Sequence, residues 1–571
     1  MRTDQRPRNS ATARAGMAGT GRRGFGLFLR RGDTPDTLLA DHDLPIREDR
    51  DYVVTWIGLP LVAGHDDPTV AVSAALDRVR DDGGIDILMG IDGIFALFVF
   101  VKTARRWHVF GDQGGLMRLF FDSHVVSTSF LELLAAGGYD CHSVDRVRLL
   151  EFVLHEGTFG STTVVRGVNV LSPQYQLLVD SREIRILPRR RTTPHSNGDN
   201  LLASFFSRHR SPLVGHKTSV DLTGGADSRV VFSFARRHLP VAEAAVIGDP
   251  GSPDVRIASE LATRCGVPIR VHRHTIERLE MEIWPTFVAG DGLIDIAHFH
   301  PNWQHMHVRL SRGIELIVHG GGGELYRDAY CLQDFPFYDI IKPRFERFYD
   351  WRLCPFASQL GWWAFADDVV RVRSVSLALM QSLTTCRNCT TYDRIFYVLK
   401  APALFGQFFS AYIRMGCAVV APFLDWCNAG WAIGQPGSRK FMHRWHRRAL
   451  AADQPDLATV PTVEGHRLLG GLWGLIRDVP DYGALWARKI GRKATQRLLG
   501  KTKFLYGSST VAEASGFADA LRESSELRTA LRVLARAGLV KSDITTKVIH
   551  PSHLGRVLAM GMLLQFLEGR R

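Results

Sequence analysis

The residues best suited to chemistry lie in the segment 219–230, which reads Ser-Val-Asp-Leu-Thr-Gly-Gly-Ala-Asp-Ser-Arg-Val. An apolar run ends at its two consecutive glycines, and a helical pattern begins directly after them. Consecutive glycines let backbone N–H groups turn toward one point, and the N-terminus of a helix adds positive potential there. The hydroxyls of Thr223 and Ser228 can donate to phosphate oxygens, and Asp227 is placed to hold a magnesium ion. The segment therefore predicts a pyrophosphate cradle.

Two common phosphate-binding fingerprints are excluded by residues that this segment lacks. The lysine of the Walker sequence GxxxxGK[ST] is absent, and so is the third glycine of the dinucleotide-binding sequence GxGxxG. Arg229, directly after the serine, is open to two interpretations: a contact with pyrophosphate or a solvated position on the helix. Asp254, which follows the next predicted strand, is interpreted as a helix cap.

The elements that must position this segment follow a strand–loop–helix rhythm. The predicted elements are strands at 217–222, 241–247 and 269–272 and helices at 229–238 and 254–265. Strands that alternate with helices of this length indicate a parallel sheet with crossover helices. From residue 284 onward the pattern is mainly helical, and 512–569 is predicted to be entirely helical.

The first third of the chain has a different pattern, with short apolar segments broken by Gly and Asp. This pattern is typical of a layered α+β domain. The predicted elements are strands at 52–58, 93–101, 107–111, 119–121 and 175–179 and helices at 70–80 and 130–136. A polar break at 188–199 is the clearest domain boundary in the chain.

The Thr-Gly-Gly-Ala-Asp-Ser sequence of residues 223–228 resembles the Ser-Gly-Gly-x-Asp-Ser loop of the PP-loop ATP pyrophosphatases, which cleave ATP to AMP and pyrophosphate. The asparagine synthetase family within this group has a second motif, Gly-x-Gly-x-Asp-Glu-Leu, further along the chain. Here residues 318–327 read Val-His-Gly-Gly-Gly-Gly-Glu-Leu-Tyr-Arg at that spacing. Aligned on Glu324, the family's metal-binding aspartate falls on Gly323 or is deleted. Glu324 is then the nearest carboxylate for the metal.

Two later segments extend the resemblance. Residues 420–425, Val-Ala-Pro-Phe-Leu-Asp, are similar to the family's Arg-x-Pro-Phe-Leu-Asp, with Val420 in place of the arginine. We expect this segment to pack a helix beneath the site. The family's late lysine has no obvious counterpart, and residues 461–467 offer His466 or Arg467 in its place. Arg467 is equally open to interpretation as a surface charge.

The first domain also resembles part of the same family. Residues 90–98, 109–115 and 127–130 resemble its N-terminal glutaminase domain in order and spacing. The nucleophile of that domain is a cysteine exposed at position 2, whereas this chain has Arg2 and no cysteine before Cys141. A thiolate attack on glutamine therefore has no nucleophile, and we expect no glutamine hydrolysis.

The sequence pattern and the resemblance together predict an α/β architecture in four parts. A disordered basic tail is expected at 1–23 and a degenerate glutamine-amidotransferase-like domain, an α+β sandwich of the Ntn type, at 24–187. A PP-loop synthetase domain with a parallel sheet is expected at 200–480, followed by a helical C-terminal extension at 481–571.

Relatives with the same degenerate first domain include β-lactam synthetases, carbapenam synthetases and lasso peptide macrolactam synthetases, in which an amine on the substrate replaces ammonia. The resemblance implies that a substrate carboxylate attacks the α-phosphate of ATP and that an amine then expels AMP.

We expect an ATP- and Mg²⁺-dependent ligase, with ring closure of a precursor peptide favoured and a protease as a possible partner. The alternatives are amidation of a small molecule with a free amine or ammonia, and a non-catalytic scaffold. A different PP-loop activity, such as tRNA modification, fits the charge but not the first domain.

The expected site combines residue chemistry with the resemblance. The catalytic candidates are Asp227, Glu324 and Arg467, of which Asp227 and Glu324 would hold the metal. The candidates for an amine-deprotonating base are Glu324, Asp328 and Tyr326. The nucleotide-binding candidates are Leu222, Thr223, Gly224, Gly225, Asp227, Ser228, Ile247, Gly321 and Gly322.

Composition sets the wider limits. Hydrophobic residues make up 45% and charged residues 23%, an ordinary globular balance, and no apolar run reaches the roughly 20 residues of a membrane span. The eight cysteines are scattered, which is typical of reduced thiols in a cytoplasmic protein; Cys386 and Cys389 lack a second pair for zinc. The net charge of +13 includes basic stretches at 439–448 and 488–503. These favour solvated helix faces over a site for an acidic peptide leader or nucleic acid.

Overall fold

The computed structural model describes most of the chain. The described residues are 26–35, 38, 44–76, 80, 82–86, 91–190, 198, 200–331, 334, 337, 339–354, 360–384, 388, 390–499 and 516–569, without the side chains of 486, 488–490 and 492–499. The basic tail predicted at 1–23 and the Cys386–Cys389 pair lie outside these residues. Within them the architecture is mixed α/β, with two antiparallel sheets, one parallel sheet and many helices.

The first part of the chain forms two antiparallel sheets. A six-stranded sheet has the order β10-β9-β5-β4-β3-β2, and a four-stranded sheet has the order β1-β7-β6-β8. The strands are β1 (Phe28–Arg30), β2 (Ile46–Glu48), β3 (Tyr52–Val62), β4 (Ile91–Val101), β5 (Arg106–Gly111), β6 (Phe120–Phe121), β7 (Val125–Ser127), β8 (Asn169–Val170), β9 (Tyr175–Val179) and β10 (Ile184–Pro188). Their helices are α1 (Thr69–Leu76), α2 (Phe130–Gly137) and α3 (Arg146–His155). The strands and helices predicted from the sequence are confirmed here, with shifted ends.

The strand β4 shows why its sequence is almost continuously apolar. Successive side chains of a strand point to opposite faces, and both faces of β4 are covered. Phe95, Leu97 and Val99 pack into one hydrophobic cluster, whereas Ala96 and Phe98 pack into another on the opposite face. The apolar run therefore follows from burial on both sides of the sheet.

The second part contains a five-stranded parallel sheet. Its order is β13-β12-β11-β14-β15, built from β11 (Thr218–Asp221), β12 (Val241–Ile247), β13 (Ile269–His272), β14 (Leu316–Val318) and β15 (Ala418–Val420). The chain first builds the sheet outward from β11 through β12 to β13, then returns to the other side of β11 for β14 and β15. The direction of winding thus reverses between β11 and β14, which are hydrogen-bonded neighbours.

Helices pack against this sheet and make up most of the other described residues after 200. They are α4 (Leu201–Arg208), α5 (Arg210–Val214), α6 (Ala226–His238), α7 (Pro253–Arg264), α8 (Leu279–Ala289), α9 (Ile296–Ser311), α10 (Phe345–Phe348), α11 (Ala366–Ser382), α12 (Thr390–Ile395), α13 (Ala401–Arg414), α14 (Trp426–Gly434), α15 (Gly437–Lys440), α16 (Arg444–Asp453), α17 (Pro455–Ala458), α18 (Gly471–Leu499), α19 (Phe517–Glu523), α20 (Ser525–Arg536) and α21 (Pro551–Leu567). Among the described helices, none combines the length and the apolar character needed to cross a membrane. The predicted helical character after residue 284 is confirmed, but β14 and β15 were not predicted.

The two parts of the chain share one hydrophobic core. A single cluster of buried residues contains Phe98 and Leu177 from the antiparallel sheet together with Val220 and Val318 from the parallel sheet. The polar contacts agree with this. The backbone N–H of Arg118 donates to the hydroxyl of Ser410 on α13 at 2.9 Å.

Asp291 joins the two parts through one carboxylate. It accepts hydrogen bonds from the Ser129 hydroxyl at 2.8 Å, the Phe130 N–H at 2.6 Å and the Leu131 N–H at 3.1 Å, all at the start of α2. The guanidinium of Arg414 lies 3.6 Å away. The N-cap of α2 is Ser129, and Asp291 accepts from the next two N–H groups, which lack partners within the helix.

Asp291→Ala should lower the free energy of unfolding by about 3–5 kcal/mol, because it leaves the buried donors of α2 and the Arg414 charge without their acceptor. Urea unfolding of the full chain measures this change. Asp519, whose side chain is 80% exposed, provides the control: Asp519→Ala should change stability by no more than about 0.5 kcal/mol. Equal losses in the two variants would contradict the role of Asp291.

Candidate functional site

Two glycine-rich segments meet at the point where the parallel sheet reverses direction. The segment 222–228 follows β11, and the segment 319–327 follows β14, its paired neighbour. Because both strands run the same way, both segments leave the sheet at its carboxyl edge. In open α/β sheets the crevice at such a reversal is the usual ligand position.

The contact between the two segments is too close for side chains on the second one. A Cβ added to Gly320 would lie 2.8 Å from Ser228 Cα, and a Cβ added to Gly323 would lie 2.3 Å from Asp227 Cγ. Gly322 adopts a left-handed backbone conformation, with φ of +90°. Glycine is therefore required here for close approach at two positions and for conformation at a third.

The first segment is a compact turn with two hydroxyls at its centre. The Thr223 and Ser228 hydroxyl oxygens lie 2.9 Å apart, and Ser228 Oγ also accepts from the Thr223 N–H at 3.0 Å. The Gly225 N–H donates to Thr223 Oγ1 at 3.2 Å. Helix α6 begins directly afterwards, and Gly225 offers it no side-chain cap. The hydroxyl pair thus lies beside an uncapped helix N-terminus, which favours an anion.

The position of Asp254 corrects its predicted role. The N-cap of α7 is Ser252, whose side chain accepts from the Val255 N–H, so the prediction that Asp254 caps this helix is wrong. Asp254 Oδ1 instead accepts from the Gly224 N–H at 2.9 Å. It therefore fixes the glycine turn itself.

Asp227 lies in the first turn of α6, between two basic side chains. Its Oδ2 is 3.3 Å from Arg327 Nη2, and its Oδ1 is 2.8 Å from Nε2 of His446 on α16. Burial alone would raise the pKa of the Asp227 carboxyl, but Arg327 and His446 together lower it to about 2. Asp227 is therefore ionised at neutral pH.

Glu324 is the second carboxylate of the crevice. Its Oε1 lies 3.9 Å from Arg327 Nη2. Burial raises its pKa, and the neighbouring charge of Asp227 also raises it, against the opposing effect of Arg327. Glu324 Oε2 is buried and accepts no hydrogen bond from the described residues, whereas Asp227 Oδ1 lies against His446 Nε2. Two neighbouring carboxylates are a donor set that fits Mg²⁺.

Arg327 connects these two carboxylates. Burial would lower the pKa of its guanidinium, but Asp227 and Glu324 raise it, so the side chain stays charged. The sequence placed Arg327 at the end of the second glycine motif but assigned it no role. His446 was likewise not predicted. The only available signal for Arg327 was its position three residues after Glu324, a spacing that brings side chains together on a helical turn.

Arg229 is neither solvated nor directed at the crevice. Its side chain is fully buried, with 0% exposure, and donates to the backbone carbonyls of Leu457 and Pro461 at 3.1 Å and of Gly224 at 3.5 Å. The interpretation of Arg229 as a solvated helix residue is therefore wrong. The guanidinium ties the glycine turn to the chain segment that follows α17.

Arg467 lies in the loop after that segment, and its Nε donates to the Thr459 carbonyl at 2.9 Å. No ion pair joins it to Asp227 or Glu324 within the described residues, so its catalytic role stays a prediction. The same loop does approach the glycine turn, because the Val463 N–H donates to the Gly224 carbonyl at 3.2 Å.

The other candidates have different surroundings. The Leu222 side chain is fully buried, so only its backbone is available at the turn. Ile247 ends β12 with an intermediate exposure, and the Gly321 N–H donates to His319 Nδ1 at 2.8 Å. Tyr326 is buried with its ring 4.7 Å from that of Phe423, and burial raises its pKa well above the ordinary value. That environment is unsuited to a base.

The segment 420–425 packs beneath the crevice as expected. Val420 ends β15, and Asp425 caps α14 by accepting from two N–H groups of its first turn. The Phe423 ring lies 6.0 Å from the ring of His446 and 5.8 Å from that of Trp445. This packing supports the helix that presents His446 to Asp227.

Comparison of the chain with protein-family models finds no match, and comparison with curated proteins also finds none.

Gly323→Ala should destabilise the protein by about 1–3 kcal/mol, because the new Cβ would overlap Asp227, which Arg327 and His446 hold in place. Thermal and urea unfolding measure the change. Gly215→Ala is the matched control, since a Cβ there meets nothing within 4 Å and its φ is −69°. The control should be neutral or slightly stabilising. A Gly323→Ala variant as stable as the control would contradict the described contact.

Proposed function

We propose that this protein is an ATP-dependent ligase that forms a carbon–nitrogen bond and releases AMP and pyrophosphate. A substrate carboxylate would attack the α-phosphate of ATP to give an acyl-adenylate, and an amine would then attack the acyl carbon and expel AMP. The observation that carries the proposal is the meeting of the two glycine-rich segments, with Asp227, Glu324 and Arg327 between them, at the reversal point of a parallel sheet.

The chain's own groups match the needs of the departing pyrophosphate. The hydroxyls of Thr223 and Ser228 lie at the N-terminus of α6, where donors and a positive potential coincide. Arg327 adds a guanidinium, whose planar donors suit phosphate oxygens. Preorganised donors of this kind stabilise charge that develops in the transition state.

The two carboxylates would hold Mg²⁺. Glu324 Oε2 is buried and accepts no hydrogen bond from the described residues, and Asp227 would exchange its contact with His446 for the ion. The metal would neutralise charge on the phosphate oxygens as the P–O bond breaks. Arg327 and His446 then act as positioning residues, because they hold Asp227 ionised and at the edge of the crevice. The loss of the family's aspartate at Gly323 fits the same arrangement, since a side chain there would overlap Asp227.

We also propose the finer domain assignment implied by the sequence. Residues 24–187 would be a degenerate glutaminase-like domain, 200–480 the synthetase domain and 481–571 its helical extension. The two antiparallel sheets of the first part support this assignment. Ring closure of a precursor peptide, with the amine on the substrate itself, is the favoured reaction, and amidation with a separate amine or with ammonia is the alternative.

One observation favours a second candidate, a non-catalytic descendant that binds a partner or a nucleotide. Arg327 and His446 already surround Asp227, so the protein balances this charge without a metal. A ligase must let Asp227 exchange part of these contacts for Mg²⁺, whereas a scaffold has no such need. Turnover therefore distinguishes the two candidates.

The experiment follows ATP labelled in its γ-phosphate, with Mg²⁺ and a panel of linear peptides that carry a free N-terminal amine and side-chain carboxylates. The label should appear in pyrophosphate and not in inorganic phosphate. Asp227→Asn should reduce the rate by about 10²–10³ through loss of one preorganised electrostatic contact, with little change in the unfolding transition.

Asp519→Asn, on the exposed side chain used above, should keep the wild-type rate. Label in inorganic phosphate would exclude the AMP-forming chemistry. An Asp227→Asn variant that retains more than about a third of the wild-type rate would exclude the assigned role of the carboxylate, since a metal ligand at the breaking bond is not dispensable.

A further inference from the structure

The side chains of His443, Glu464 and His466 form a cluster beside His446, and the proposed ligation uses none of these three. The His443 ring lies 5.4 Å from that of His446 and 4.9 Å from that of His466. Potential ligand atoms of His443, Glu464 and His466 all lie within 4.8 Å of one another. Two imidazoles and one carboxylate at this separation can share a single ion.

The backbone that presents His443 is strained. Met442 has φ of 53° and ψ of 35°, and His443 has φ of 58° and ψ of 33°. Both residues are therefore in the left-handed region, which non-glycine residues seldom adopt, and each costs on the order of 1–3 kcal/mol. Two such residues in succession turn the chain between the helical segments 437–440 and 444–453. This turn directs the His443 imidazole into the cluster.

The surrounding contacts orient the two imidazoles and leave ligand positions. The Tyr482 hydroxyl contacts Nδ1 of His443, and the Tyr482 ring lies 4.6 Å from that of His466. Such a contact to one ring nitrogen fixes the orientation of a metal-binding histidine and leaves its other nitrogen for the ion. His466 is only 2% exposed, and its Nε2 has no hydrogen-bond partner in the part of the chain that the structure describes.

The chemistry of the cluster also suits a metal. A neutral imidazole offers a nitrogen lone pair and an ionised carboxylate offers an oxygen, which are the forms in which these side chains bind a metal. The Glu464 side chain is 34% exposed, which gives an ion a route from solvent.

We propose that His443, Glu464 and His466 form a binding site for a divalent transition-metal ion of the Zn²⁺ class. Two imidazole nitrogens and one carboxylate oxygen are typical zinc ligands, and three protein ligands leave a fourth position for water. Mg²⁺ prefers oxygen ligands, so this site differs in chemistry from the Asp227–Glu324 pair.

An ion bound at this site would connect two segments that contact the glycine turn and Asp227. Glu464 and His466 belong to a tight turn closed by hydrogen bonds from Thr462 and Gly465, and the adjacent Val463 N–H donates to Gly224 of the glycine turn. An ion bound to this turn and to His443 would fix the turn against the crevice. It would also hold α16, from which His446 reaches Asp227.

The test uses the full chain, stripped of metal with a chelator and titrated with Co²⁺, whose visible absorption reports its ligands. We expect one equivalent of Co²⁺ per chain, displaced by Zn²⁺, and a Tm that rises with Zn²⁺. Glu464→Gln, which keeps the shape of the side chain, should weaken Co²⁺ binding at least about tenfold. If this variant loses its native circular dichroism, His466→Asn takes its place.

Two controls identify the site. His124→Gln alters an exposed histidine elsewhere. A double Cys386→Ser/Cys389→Ser variant removes a cysteine pair that could bind zinc, and both variants should bind Co²⁺ like the wild type. The proposal fails if the wild type takes up no Co²⁺, if the Glu464 variant binds it equally well, or if the cysteine variant loses binding. Because the readout is metal uptake, the outcome is independent of whether the protein forms AMP.

Discussion

The negative charge of Asp227 lies in a partly buried crevice, where a carboxylate without a cation is unstable. Much of the surrounding structure follows from this constraint. Arg327 turns inward from the second glycine segment, and His446 approaches from α16. Gly323 must lack a side chain, because Asp227 already fills the space. Segments that are distant in the sequence are thus brought together around one carboxylate.

The sequence predicted three of the five strands of the parallel sheet but not the two that complete it. The strands β11, β12 and β13 were predictable, because apolar runs alternate with helical patterns and the glycine turn marks the end of β11. The strands β14 and β15 were not, since each has three residues and is almost wholly buried. A short apolar run without alternation cannot be distinguished from part of a helix.

Within the site, local chemistry was more predictable than long-range pairing. The turn that holds Thr223, Asp227 and Ser228 was predictable, because two glycines between an apolar run and a helical pattern mark it. The phosphate-binding and metal-binding roles of these residues stay predictions. Asp254 was misassigned as a cap because its partner, the Gly224 N–H, lies 30 residues earlier in the sequence. Arg229 shows the same limit: a charged residue on a helix is usually solvated, and only the fold reveals the carbonyl groups that surround it.

The shared core limits which deletions the protein can tolerate. Phe98 and Leu177 of the antiparallel sheet pack in the same cluster as Val220 and Val318 of the parallel sheet, and Asp291 accepts hydrogen bonds from the first N–H groups of α2. A deletion that removed the first part would leave the second with a bare apolar surface and a buried acid without its donors. Stability alone is therefore a sufficient reason to retain the first part of the chain, whether or not that part carries any chemistry of its own. The parallel sheet needs its apolar surface as a packing partner.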